Sequence, residues 1–181
     1  QDQIFVAEGL HQRFRPTTTN PTTTRALECL GAEVLPWRWE DGAAWDGLIA
    51  CSAEVWCVTV PPRQGAEGAN AFHRELQAAA KQACVKRLVW TSSTAVYDPA
   101  QTGNITEADA GHHLSRHTGV DMLALENIHR EDAEGPEFLA LRFGGLFSER
   151  RHPVSALLRR QPIEGADGHV QWVHERDAAG A

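Results

Sequence analysis

Residues 85–97 have the sequence V-K-R-L-V-W-T-S-S-T-A-V-Y, which indicates the fold more clearly than any other stretch. Residues 87–91 form a short apolar run, and residues with hydroxyl side chains follow it at once. A continuous run this short is typical of a strand buried on both faces, as in a parallel sheet. Residues 54–60 and 138–142 form two further runs of this kind. We therefore predict three buried strands.

Segments of helical composition separate these strands. Residues 69–83 are rich in Ala, Gln and Glu, and apolar side chains recur at helical spacing in residues 119–130. Alternating strands and helices favour right-handed crossovers over an antiparallel sandwich. The sequence therefore predicts an α/β fold, a Rossmann-like doubly wound parallel sheet.

Weaker patterns predict elements on both sides of this region. Before it, we expect a strand end at 17–19, a helix at 22–30 that starts at the turn Asn20-Pro21, and a short strand at 34–37. After the two glycines at 144 and 145, the sequence predicts one helix at 154–160 and one strand at 170–173.

The composition excludes several classes of protein. The chain has 181 residues and a net charge of −7, which argues against nucleic acid as a partner, because such surfaces concentrate Lys and Arg. No apolar run approaches the roughly 20 residues of a membrane-spanning helix, and residues 1–14 lack the features of a signal peptide. We therefore expect a cytoplasmic protein with no membrane partner. The four irregularly spaced cysteines predict free buried thiols and no metal site.

Residues 85–97 resemble the fifth strand of the extended short-chain dehydrogenases of the NAD(P)-dependent epimerase/dehydratase type, and most closely the atypical branch of that family. Residues 53–62 resemble its fourth strand with the cofactor-side loop, 141–147 its sixth strand, and 172–177 a later segment. The resemblance implies an NADP or NAD cofactor at the carboxyl ends of the strands and a small-molecule substrate. It implies Ser93 as the catalytic residue that binds a substrate oxygen. The cofactor-binding residues that it implies are Asn20, Pro61, Pro62, Thr91, Ser92 and Gly144.

The glycine-rich turn of this family is missing. No two glycines are separated by a single residue, so the G-x-G-x-x-G fingerprint cannot occur in this chain. Residues 6–10 resemble the helix after that turn, and the first strand would then lie upstream of Gln1; alternatively, residues 3–7 are the first strand. We expect a nucleotide-binding domain at 1–147, incomplete at its N-terminus, and the start of a smaller substrate-side region at 148–181.

The catalytic Tyr-x-x-x-Lys pair of the family is also missing. Tyr97 is the only tyrosine, and four residues later the chain has Gln101. Matching Ser93 and Glu126 to the family puts Thr118 in place of the tyrosine and Met122 in place of the lysine. Neither side chain can exchange a proton in that way. Two functions stay open: an atypical oxidoreductase or epimerase/dehydratase, and a non-catalytic nucleotide-binding or protein-interaction module.

Four further expectations concern ligands and partners. No acidic residue follows the second strand, where Thr19 and Asn20 stand, which favours NADP over NAD. Because the fingerprint is missing, we expect weak or no NAD(P)H binding by this chain alone. His113 and His117 have the spacing of two ligands on one helix face, but we interpret the segment as a solvated loop. The resemblance implies a homodimer through the helices at 69–83 and 119–130.

Overall fold

The computed structural model of the protein describes residues 15–39, 44–62, 65–115, 118–158 and 171–180. It divides into two compact units, of which one ends at Arg142 and the other contains the chain from Phe143 onward. The predicted boundary at residue 147 stays a prediction. In the part of the chain that is described, no helix is both long and apolar enough to span a membrane.

A three-stranded sheet forms the centre of the first unit. Its strands are β1 (Val55–Val58), β2 (Arg87–Ser93) and β3 (Glu137–Phe143), in the order β1-β2-β3. β1 and β2 are parallel, with Val58 opposite Trp90. The three predicted strands and the predicted α/β class with parallel strands are therefore confirmed.

Two helices pack together beside this sheet. They are α3 (Gly65–Gln82) and α4 (Met122–Arg130), which were predicted at 69–83 and 119–130. α4 starts three residues later than predicted because the side chain of Asp121 accepts the N–H of Ala124 and caps the first turn. α3 and α4 place apolar side chains against β2, and burial of apolar surface is the main stabilising contribution to such a core. The core consists of Val58, Ala69, Phe72, Leu76, Leu88, Trp90, Val96, Val120, Met122 and Leu125.

Two helices precede β1. α1 (Pro21–Cys29) was predicted at 22–30, and Asn20 caps it as the turn Asn20-Pro21 suggests. α2 (Ala44–Ala50) was not predicted. The predicted strands at 17–19 and 34–37 are reduced to one parallel bridge between Thr17 and Leu35, because only these two positions pair.

The second unit contains a two-stranded parallel sheet. β4 (Gly145–Phe147) pairs with β5 (Trp172–His174), and the helices are α5 (Pro153–Leu157) and α6 (Glu175–Ala179). The sequence predicted α5 and β5, but β4 and α6 are too short to show a periodicity. The predictions for residues 3–10, for His117, for the end of the helix at 160 and for Val170 lie outside the described residues.

Candidate functional site

The carboxyl ends of β1 and β2 meet at one edge of the sheet. Because Val58 lies opposite Trp90, the residues that follow each strand are neighbours, and the hydroxyl of Thr91 donates to the carbonyl of Val58 at 3.4 Å. Pro61 and Pro62 follow β1 at this edge, the first exposed and the second half-buried. The parallel register therefore brings the predicted residues that follow β1 and those at the end of β2 to the same edge of the sheet.

Ser92 and Ser93 end β2, and both hydroxyls are bound within the protein. Ser93 is half-buried, and its Oγ accepts the N–H of Ala95 at 3.2 Å, which caps the short 3-10 helix Thr94–Val96. Ser92 is buried, and its Oγ donates to Oε1 of Glu126 at 2.7 Å. Alternation along the strand explains the difference, since successive side chains point to opposite faces. The predicted roles of both serines stay predictions.

A buried ionic network lies directly behind this edge. Glu126 is 0% exposed, and Arg142 donates to both of its oxygens, from Nε at 3.0 Å and from Nη2 at 2.7 Å. Arg130, one turn further along α4, adds a contact of 3.1 Å. Hydrogen bonding to Glu126 raises the pKa of Arg142 above its usual value, although burial opposes this. A buried carboxylate needs such pairing, because an unpaired buried charge is strongly destabilising.

From the sequence, Glu126 was matched to a glutamate of the family but no role was predicted for it. The role of Arg142 was not predicted. The remaining nitrogen of Arg142, Nη1, donates to the hydroxyl of Tyr97 at 3.1 Å and to the carbonyl of Glu107 at 3.2 Å. The guanidinium carbon also lies 5.5 Å from the centroid of the Tyr97 ring. A glutamate on the apolar side of α4 and an arginine inside the apolar run of β3 are the signals that could have indicated this pair.

Thr118 and Met122 stand where the resemblance implies tyrosine and lysine. Thr118 is exposed, and its hydroxyl oxygen accepts the N–H of Val120 at 3.4 Å. Met122 is 4% exposed and belongs to the apolar core. The first turn of α4 therefore brings a thioether into the core.

Asn20 and Gly144 are engaged in other parts of the chain. The side chain of Asn20 accepts the N–H groups of Thr22 and Thr23, at 3.0 and 3.2 Å, as the cap of α1. Gly144 belongs to the second unit, where an added Cβ would lie 2.7 Å from the carbonyl oxygen of Gln171. A side chain at this position would force the backbone to shift. The roles of both residues in cofactor binding stay predictions.

A second buried titratable cluster was not predicted. His73 of α3 and His129 of α4 share a hydrogen bond of 2.9 Å between their ring nitrogens, and their side chains are almost completely buried, at 1% and 4% exposure. Burial, together with the neighbouring His129, lowers the pKa of His73 to about 3. Burial lowers the pKa of His129 to about 4, although Asp132 opposes the shift. Both rings are therefore neutral in the folded protein near neutral pH.

The described residues contain no group of three or more His, Cys, Asp or Glu side chains that could hold a metal ion. Nδ1 of His112 contacts Asp121 at 2.9 Å.

The four cysteines are free, but Cys29, Cys57 and Cys84 are exposed and Cys51 is half-buried. The prediction that these thiols are buried is therefore wrong, because an apolar neighbour in sequence does not determine which way a side chain points.

No protein-family profile matches the sequence, and no curated protein matches it. Several solved structures have a similar fold. UDP-glucuronic acid 4-epimerase from Bacillus cereus, in complex with UDP-glucuronic acid and NAD, has a TM-score of 0.65 and 16% identity over 92% of this chain. An NAD-dependent NDP-hexosamine 5,6-dehydratase involved in tunicamycin biosynthesis has a TM-score of 0.60 and 18% identity over 92%. GDP-L-fucose synthetase from Naegleria fowleri, bound to NADP, has a TM-score of 0.56 and 12% identity over 97%.

The chain is shorter than these proteins. It spans 60% of the Bacillus epimerase, 69% of the dehydratase and 73% of the Naegleria synthetase. Identities this low establish a likeness of fold and leave activity open. The resemblance inferred from residues 85–97 is confirmed at that level. The chain has a Rossmann-like fold similar to that of these epimerase and dehydratase structures.

Proposed function

We propose that this chain is part of an NAD(P)-binding protein of the epimerase/dehydratase type in which the usual tyrosine-lysine proton transfer is absent. The observation that carries the proposal is the edge where Thr91 contacts the end of β1 in a parallel sheet. In open α/β sheets, ligands bind outside the carboxyl ends of the strands. The proposal is also supported by the NAD and NADP in two of the similar structures.

Some residues at this edge would contact the cofactor, and one would contact the substrate. Pro61, Pro62 and Thr91 would border the cofactor, which supplies hydride transfer when bound. Ser93 would donate its hydroxyl hydrogen to a substrate oxygen, since its Oγ already accepts the N–H of Ala95 and keeps its own hydrogen free. Ser92 would act through its backbone, because its side chain is bound to Glu126.

The preference for NADP is supported by an arginine near Asn20. A guanidinium nitrogen of Arg38 donates to the hydroxyl of Thr19 at 3.1 Å. Both residues follow the parallel bridge between Thr17 and Leu35, so they lie at its carboxyl end together with Asn20. An arginine at this position can bind the 2′-phosphate of NADP, whereas an acidic residue would bind the free ribose hydroxyl of NAD. We therefore propose Arg38 and Asn20 as contacts of the adenosine end.

Ordinary dehydrogenase turnover would be severely impaired. Met122 carries no charge and is packed in the core, and the exposed hydroxyl of Thr118 has no accessible pKa, so neither can supply the proton. Loss of a positioned acid or base typically lowers a rate by roughly 100- to 10,000-fold. We expect no measurable reduction of NAD or NADP when a nucleotide sugar such as UDP-glucose, whose hydroxyl groups can be oxidised, is added.

Titration of the whole chain with NADPH and NADH, followed by quenching of tryptophan fluorescence, tests the proposal. Trp56 of β1 and Trp90 of β2 lie on the two strands that form the edge. We expect saturable but weak binding of NADPH, with a Kd above about 10 μM. The variant Arg38→Ala should bring NADPH binding down to that of NADH, whereas Arg25→Ala, on the exposed side of α1, should leave it unchanged.

Two results would contradict parts of this proposal. A submicromolar Kd would overturn the expectation of weak binding. If neither nucleotide causes saturable quenching up to about 1 mM, the proposal fails and the alternative is favoured, a protein-interaction module on the same scaffold. That alternative has some support, because the hydroxyls of Thr91, Ser92 and Ser93 all have partners within the protein.

We also propose a homodimer through α3 and α4. An open groove of about 520 Å³ lies along both helices and is lined by Asn70, Arg74 and Gln77 from α3 and by Asn127 and Ile128 from α4. Because the lining is mostly polar, these helices can be solvated in a single chain and can also contact a second copy of the chain. Light scattering at micromolar concentration should give twice the mass of one chain, and the mass of a single chain would count against the dimer.

A further inference from the structure

The segment at residues 94–111, which we call the strap, follows Ser93 directly and is mostly exposed. Its internal contacts include a hydrogen bond from the N–H of Gly111 to the carbonyl of Val96 at 2.9 Å. Thr106 and Asp109 form a second internal contact, a reciprocal cap. These bonds shape the strap, but they do not attach it to the sheet or to α4.

The side chain of Val96 packs in the core, and Arg142 adds a polar attachment. Its side chain is 9% exposed, and two of its nitrogens are used by Glu126. The third, Nη1, donates to Tyr97 and to the carbonyl of Glu107, so one guanidinium contacts the strap at two points ten residues apart. Because a guanidinium is a planar, rigid fork, fixing two nitrogens on a carboxylate also fixes the direction of the third.

The carboxylate is itself held firmly. Glu126 is completely buried and accepts hydrogen bonds from Arg142 and Ser92 besides its contact with Arg130. Its position on α4 is therefore well determined, and the hydroxyl of Ser92 links it to the end of β2. Strand β3, helix α4 and the end of β2 converge on this one side chain.

We propose that Arg142 is a positioning residue, which holds the strap and the adjoining turn at Ser93 in one arrangement relative to β3 and α4. The contacts of Nη1 are not needed to neutralise Glu126, since Nε and Nη2 already do so. Their effect is on the strap, whose first turn includes the bond from the N–H of Ala95 to Ser93. That this turn borders a ligand site rests on the proposed function, whereas its attachment by Arg142 does not.

The variant Tyr97→Phe tests the attachment, because it removes the hydroxyl but keeps the half-buried ring packed against the core. Hydrogen exchange of the amides of Ala95, Tyr97 and Gly111 should become about 3- to 10-fold faster, as expected for the loss of one hydrogen bond. Exchange in α3 should not change. Arg142→Lys should loosen the strap at least as much, since an ammonium group cannot bind Glu126 and the strap together.

A matched control is the ion pair between Arg87, at the start of β2, and Glu137, at the start of β3. Arg87 donates from Nε and Nη2 to Glu137 at 3.0 and 2.8 Å, so Arg87→Lys makes the same chemical change at an exposed pair. It should leave exchange in the strap unchanged. The proposal is overturned if Tyr97→Phe leaves strap exchange as in the natural chain, if α3 loosens equally, or if Arg87→Lys has the same effect.

The affinity for NADPH separates a positioning role from simple attachment. In a chain that binds NADPH, Tyr97→Phe should weaken the binding about 3- to 10-fold, while the melting temperature falls by no more than roughly 4 °C. A loosened strap with unchanged affinity would overturn the positioning role. If the natural chain does not bind NADPH, the proposed function fails, and the exchange of Ala95 next to Ser93 still decides whether Arg142 holds this turn.

Discussion

The hydrogen-bonded pair of His73 and His129 should make the stability of the protein depend on pH. Both rings are buried and neutral in the folded state, where burial lowers their pKa values to about 3 and about 4. In the unfolded chain, histidine has a pKa of about 6.5. The unfolded state therefore binds more protons below this pH, and acid favours unfolding. The contribution of the two neutral histidines to stability is fully present above pH 6.5. It is lost as the pH falls towards their pKa values in the folded state.

The size of the effect follows from these shifts. One pKa unit corresponds to about 1.4 kcal/mol, and pH 5 lies about 1.5 units below the unfolded value, so each histidine lowers the free energy of unfolding by about 2 kcal/mol. From about pH 8 to about pH 5, the two histidines together should lower the free energy of unfolding by about 4 kcal/mol. For a chain of this size the melting temperature should fall by roughly 10 °C.

Urea unfolding followed by tryptophan fluorescence at several pH values between about 8 and 5 measures this loss. The double variant His73→Leu/His129→Leu removes both titrating rings, and we expect its stability to change by less than about 1 kcal/mol over the same range. His112→Gln, at an exposed histidine that contacts Asp121, should keep the full dependence. Equal losses in the double variant and the natural chain would show that other groups cause the acid sensitivity.

Substitutions at Met122 and at Glu75 test the packing of the first unit. Met122→Lys would place an unpaired charge in the core and should lower the free energy of unfolding by about 3–5 kcal/mol, whereas Met122→Leu should cost less than about 1.5 kcal/mol; equal urea midpoints for the two would contradict the burial of this side chain. Glu75 accepts the indole N–H groups of Trp39 and Trp45 at 2.8 and 3.0 Å, so Glu75→Ala should cost about 1 kcal/mol and alter tryptophan fluorescence. An unchanged emission spectrum would show that these bonds do not form in solution.

The elements of the fold could be predicted because their signals are local. The apolar run at 87–91 identified β2, and Asn20-Pro21 identified the start of α1, since a cap involves only residues within one turn. Residues 119–130 were predicted too long at their N-terminal end. Asp121 caps the helix there, and a cap of this kind is easily missed beside apolar residues.

The candidate site could be predicted only in part. Ser93 and Thr91 were identified through the family resemblance of residues 85–97, and the parallel register does bring Thr91 to the end of β1. The engagement of Ser92 with Glu126 was not foreseen, because the two residues are 34 positions apart. The exposure of Cys57 on β1 was missed for a similar reason, since a short strand does not reveal which face is covered.

The amino-acid sequence determines which chemical groups the protein has: it contains one tyrosine, and no two of its glycines have the spacing of the dinucleotide fingerprint. It also determines the alternating apolar segments that form strands and helices. Backbone hydrogen bonding and burial repeat at short intervals, so these features can be recognised locally. The pairing of Arg142 with Tyr97, 45 residues away, and of His73 with His129, 56 residues away, depends on how α3 and α4 pack against the sheet. Such pairs become visible in the folded chain, because side-chain contacts between distant segments are set by packing geometry and leave no periodic trace in the sequence.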